Sequence, residues 1–164
     1  MRPYFLSLAL LAACASSNPW KLDLISTGNE VYDSARLVYR DPDTPSPTLL
    51  FEILRVSQEP EVFLSLTHQK FTPLKSDPSC IKVFFTIDGI QTEELIPLLE
   101  GRMRLRFPAP LANRLINSLQ DGKQVGILVD GFEETLDPRE FQTTYDKFAK
   151  SPSFFRNLLR GPLQ

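Results

Sequence analysis

Apolar and polar residues alternate with a period near two along much of the chain after Pro19, the spacing of strands that bury one face. Lys21 to Ile25 puts Leu22 and Leu24 on one side. Ala35 to Arg40 sets Ala35, Leu37 and Tyr39 against Arg36, Val38 and Arg40. Thr48 to Val56 (TLLFEILRV) is apolar on much of both faces, which predicts a central strand. Glu61 to Lys70 places Val62, Leu64, Leu66 and the chain's single histidine, His68, opposite Ser65, Thr67 and Gln69. Ile81 to Ile87 offers Ile81, Val83, Phe85 and Ile87 to a core. Residues 102–107 offer Met103, Leu105 and Phe107, and 125–129 is one more short strand. Asp88-Gly89 and Asp130-Gly131 mark tight turns, and the proline-bearing runs 41–47 and 73–79 are loops.

The period changes in three places. Leu111, Leu115 and Leu119 lie four apart, a short amphipathic helix that Pro110 can start and Gly122 can stop. Asp137-Pro138-Arg139-Glu140 supplies an N-cap, a first-turn proline and an acid, so 138–149 is expected to be helical with Phe141, Tyr145 and Phe148 on its buried side. Ser151-Pro152 opens a last short helix carrying Phe154, Phe155, Leu158 and Leu159. Those residues either cover the sheet or dock on a partner or membrane. The pattern predicts a mainly β (α+β) fold: an antiparallel β-sandwich or curved sheet with one short inserted helix and a helical C-terminal flank. One echo is internal. FFTIDGIQTEEL (84–95) and ILVDGFEETL (127–136) each run from an apolar strand through Asp-Gly to paired acids and leucine. They are two similar turns or a duplicated unit.

Composition narrows the class. A chain of 164 residues, 42% apolar and 23% charged, suits one globular domain. Fourteen prolines against seven glycines favour bounded strands over long helices. A net charge of −2 argues against nucleic acid as a partner, which needs a basic excess.

The N-terminus reads differently from the rest. Arg2 is followed by Tyr4 to Ala13 (YFLSLALLAA), too short to span a bilayer as a stable helix but suited to a signal peptide. It ends in Leu11-Ala12-Ala13-Cys14, which resembles the bacterial lipobox. That resemblance covers only the first 20 residues or so. It implies a signal peptide over 1–13, cleavage before Cys14, and thioether-linked diacylglycerol with a further fatty acyl chain such as palmitate on that residue. Two or more chains anchor stably where one does not. It also implies a lipidated tether over 14–19 and a single mature domain over 20–164. The neutral Ala15 after the cysteine implies the outer membrane if the cell is Gram-negative. Trp20 then either rests in the membrane interface or packs into the first strand.

Candidate chemistry is sparse. With Cys14 lipidated, Cys80 has no intramolecular partner: it is a half-buried apolar residue or a thiol that pairs with another chain. One histidine and no cysteine pair supply no metal cluster. Asp130, Glu133, Glu134 and Asp137 lack the alternating ligands of a calcium loop, and Glu93-Glu94 and Glu133-Glu134 are adjacent, so neither pair converges. We find no nucleophile motif and no cofactor motif, and expect no enzyme. The most regular charge is Arg102, Arg104 and Arg106, on one face of a strand if 102–107 is extended. Such a row can grip carboxylates or phosphates, unless acids on neighbouring segments such as Glu93, Glu94 or Glu100 neutralise it. The expectation is a membrane-anchored envelope lipoprotein acting as a structural or accessory protein-interaction module. The alternative is a binding module for an anionic envelope ligand through the arginine face.

Overall fold

The computed structural model describes residues 18–25, 34–41, 48–55 and 59–151; Cys14 and the expected last helix lie outside them. Among the described residues, alternation becomes two antiparallel sheets. The first has the order β1 (Trp20–Ile25), β2 (Ser34–Tyr39), β3 (Leu49–Arg55), β4 (Glu61–Leu66) and β7 (Arg104–Arg106). The second runs β6 (Ile90–Pro97), β5 (Cys80–Ile87), β8 (Val125–Val129), β9 (Phe132–Leu136). Helices α1 (Ala109–Gln120) and α2 (Phe141–Lys150) complete a mainly β, α+β fold.

The period-two faces point where the sequence predicts. Ala35, Leu37 and Tyr39 of β2, Phe51 and Ile53 of β3, and Val62, Leu64 and Leu66 of β4 are buried in one core with Ile81, Val83 and Phe85 of β5 and Val125, Ile127 and Val129 of β8. β3 is central, as its two-sided apolar pattern requires. The sheets cross rather than align. At the C-terminal end of β9, Thr135 O accepts from Tyr39 Oη at 2.9 Å and Asp137 O from Trp20 Nε1 at 2.7 Å. At its other end, Asp130 accepts from Thr72 N, beyond β4. The β8–β9 hairpin therefore lies across the strands of the first sheet, the orthogonal mode of sheet packing.

Both Asp-Gly pairs form tight hairpin turns. Asp88 and Gly89 have φ of 52° and 77°, Asp130 and Gly131 of 52° and 80°, the two successive positive values of a type I′ turn. β5 pairs with β8 so that Phe85 faces Ile127. The shift in sequence that carries Asp88 onto Asp130 also carries Phe85 onto Ile127. The two hairpins are thus related by a local two-fold axis through that pair, and the sequence echo is a structural one.

α1 follows its N-cap Pro108, carries Pro110 in its first turn and ends at Gln120, with Asp121 as C-cap and Gly122 after it. There Gly122 N donates to Leu119 O and Lys123 N to Ser118 O with Gly122 at φ +77°, a Schellman ending. α2 begins at Phe141, three residues later than predicted, because Glu140 takes φ +59° and breaks the turn that Asp137 and Pro138 open. Phe141 and Phe148 are fully buried and Tyr145 is half-buried. Arg55 donates to the carbonyls of Phe148, Ala149 and Ser151, placing a cation at the negative C-terminus of α2.

Other expectations need correcting. The strand from Glu61 ends at Leu66, so His68 lies beyond it and is exposed. Leu24 is 64% exposed at an edge. β6 and β9 are strands that carry the two acid pairs; alternation misses them because both are edge strands with few buried positions.

Candidate functional site

The predicted arginine row is split by the backbone. Arg102 follows Gly101 in a turn with φ +57° and takes no part in a strand. Its carbonyl accepts from Phe71 N at 2.7 Å. β7 is only three residues long, so Arg104 and Arg106 alone share a strand face. Leu105 and Phe107 turn inward as expected, whereas Met103 is 43% exposed because the strand has not yet begun there.

The acids that meet these arginines come from strands remote in sequence. Arg106 Nη2 donates to Glu61 at 2.8 Å on β4. Arg104 Nη2 donates to Glu52 at 3.1 Å on β3, and its guanidinium lies 3.9 Å over the ring of Phe63. Glu52 is only 5% exposed, and its other oxygen accepts from Arg36 at 3.1 Å. Arg36 in turn reaches Asp23 at 2.9 Å on β1. Two acids and two bases thus alternate across the outer face of the first sheet: Asp23, Arg36, Glu52, Arg104. The Asp23 hydrogen bond is the largest influence on Arg36, raising its guanidinium pKa against the opposing effect of burial. This row of four is neutral in sum. It holds a buried carboxylate between two guanidiniums, each of which also keeps one buried Nε without a partner. Glu93, Glu94 and Glu100 do not pair with the row: Glu93 meets Lys82 and Glu94 meets Arg114, and Glu100 is exposed beside Gly101. Glu52 was legible as an oddity, one acid in an otherwise apolar run; its partners, 16 and 52 residues away, were not.

Trp20 belongs to the core. It is 2% exposed and packs edge-on against Tyr39 at 5.0 Å and Phe141 at 4.6 Å. The two residues before it, expected as tether, are already part of the domain. Asn18 accepts from Trp20 N at 2.8 Å and donates to Thr144 at 3.2 Å, and Pro19 O accepts from Arg40 N at 2.8 Å. Only Ala15, Ser16 and Ser17 separate Cys14 from Asn18, a reach of at most about 14 Å.

The remaining candidates stand apart. Cys80 is partly exposed at the start of β5, 3.6 Å from Ser79 Oγ. Glu134 points to the inner side of β9, where burial pushes its carboxyl above the usual range; Thr135 N opposes this and the charge of Asp41 adds to it. Among the described residues, no group of three or more His, Cys, Asp or Glu side chains is placed to hold a metal, and no helix is long and apolar enough to cross a membrane. No protein-family model, curated protein or solved structure matches the chain.

Proposed function

We propose that this chain is an exported lipoprotein, anchored through lipid on Cys14, whose β-rich domain works at a membrane surface as an accessory module through contacts with envelope proteins. The lipobox-like Leu11-Ala12-Ala13-Cys14 supports the anchor. The observation that carries the reading is how soon the fold begins. Asn18 is tied to Thr144 and to Trp20, and Trp20 to Asp137, so only three residues separate Cys14 from a side chain held by α2 and only five separate it from β1. A tether of this length keeps the domain against the headgroups and limits it to partners in or near the same membrane. The neutral Ala15 favours an outer membrane where the cell has one.

Cys14→Ser tests the anchor. Metabolic labelling with a fatty acid is expected to mark the wild type and leave the variant blank, with the variant uncleaved or released from membranes. Equal label on both proteins would overturn the reading. Crosslinking in native membranes should then recover an envelope protein with the wild type and lose it with the variant.

A further inference from the structure

We propose that a groove across the outer face of the second sheet binds a neutral saccharide. The groove follows one cross-strand row, Gln91–Thr86–Gly126–Thr135, set by the pairings of β6, β5, β8 and β9. Four strands make it about 14 Å long, three interstrand spacings. β6 and β9 are both edge strands, so it runs out to solvent at each end. Together with Gln124 and Glu133, these residues line a depression of about 420 Å³.

Gly126 makes the groove. It is the one glycine inside a strand among the described residues, and nothing in its backbone calls for glycine: its φ is not positive. A Cβ built there would meet Thr86 Cβ at 3.4 Å and Thr86 O at 3.7 Å, contacts a sheet can absorb. Glycine in a strand interior weakens the strand and is often kept where a ligand comes close to the backbone. Here its missing side chain opens the floor.

The lining selects the ligand. Thr86, Thr135, Gln91 and Gln124 offer hydroxyls and amides that both donate and accept, and none of these side-chain groups is hydrogen-bonded within the described protein. Gln91, Gln124, Glu133 and Thr135 are exposed. The nearby cations are committed elsewhere, Lys123 to Asp88 at 3.1 Å and Lys82 to Glu93 at 2.8 Å. Among the described residues beside the groove, neither lysine is left without an acid partner to meet a phosphate or carboxylate. The next row, Phe84 beside Leu128, forms a half-buried apolar ridge along one bank, suited to the C–H face of a sugar ring. A peptide adding to a sheet would run along an edge strand, whereas this groove runs across the strands. Hydroxyl-rich, free of anionic groups and linear describes an oligosaccharide, whose hydroxyls can donate to the lining acids Asp88 and Glu133. The inference does not depend on the lipid anchor.

The test uses the full chain in a detergent without a sugar headgroup, titrated with tri-N-acetylchitotriose, maltotriose and cellotriose. At least one is expected to give saturable NMR shifts on the outer face of β5, β6, β8 and β9, with millimolar or tighter affinity that does not change between about 50 and about 500 mM salt. Gly126→Val should weaken binding about tenfold or more while the melting temperature stays equal or rises. Gln91→Ala with Thr135→Ala, at exposed positions, should weaken it about fivefold with melting unchanged, and this pair decides the matter if the valine variant does not fold. No saturable shift with any of the three sugars, or wild-type affinity in the folded variants, overturns the proposal.

Discussion

The two sheets carry opposite kinds of outer face. On the first, long charged side chains cover the surface and answer one another: Asp23, Arg36, Glu52 and Arg104 in a chain, Arg106 with Glu61 beside it. On the second, the centre holds a glycine and threonines whose polar groups face an open depression. The first face draws the eye in the sequence because its charges recur every second residue; the second offers only a glycine in an apolar strand. Regular charge in a sequence tells nothing of its balance until the partner strands are known. A missing side chain, by contrast, acts on a surface whatever its neighbours are.

The contrast makes graded predictions for stability. The largest effect is expected at the centre of the charged face. Glu52→Ala should destabilise the fold by about 1–3 kcal/mol, since two partly buried guanidiniums lose the carboxylate between them. Arg104→Gln should follow at about 1–2 kcal/mol, because Glu52 retains Arg36 but loses a partner and the stack on Phe63. Urea denaturation measures both. An Arg104→Gln variant as stable as wild type would make the face an ordinary solvated one.

How far the sequence led is clear from particular elements. β2, β5 and β8 were legible because one face of each is buried and a shift of register would turn that face to water. β6 and β9 were not, because an edge strand rich in acids has few buried positions to alternate. Arg104 and Arg106 were placed on the correct face. Their neutralisation was illegible, since it depends on β4 lying beside β7 with β3 next in the sheet, which brings Arg106 to Glu61 and Arg104 to Glu52 across 45 and 52 residues. Arg102 dropped out of the row because Gly101-Arg102 takes left-handed geometry, which no periodicity announces. The start of α2 misled for the same reason: Asp137 does accept from Arg139 N, yet Glu140 interrupts before the helix begins.

Smaller effects sharpen the comparison further. Glu134 has its pKa raised by burial, so its folded pKa lies above the unfolded one. Its proton stabilises the fold fully below the unfolded carboxylate pKa, and that contribution is lost as pH rises through the folded value. Glu134→Gln should therefore stabilise the fold at neutral pH and leave it unchanged at acid pH. Unfolding curves at the two pH values check this; an equal gain at both would place the effect outside titration. The smallest changes are expected at Arg106→Gln and Arg102→Gln, each within about 0.5 kcal/mol, because one is an exposed pair and the other lies in an exposed turn. A larger loss at Arg106 than at Arg104 would invert the account of this face.

The most direct test of the lipoprotein reading is the intact mass of the chain extracted from the membranes of the cell that makes it. A protein beginning at Cys14 and heavier by a diacylglyceryl group and a fatty acyl chain is the predicted result. A chain of unmodified mass, beginning at Met1 or at any residue other than Cys14, would contradict it.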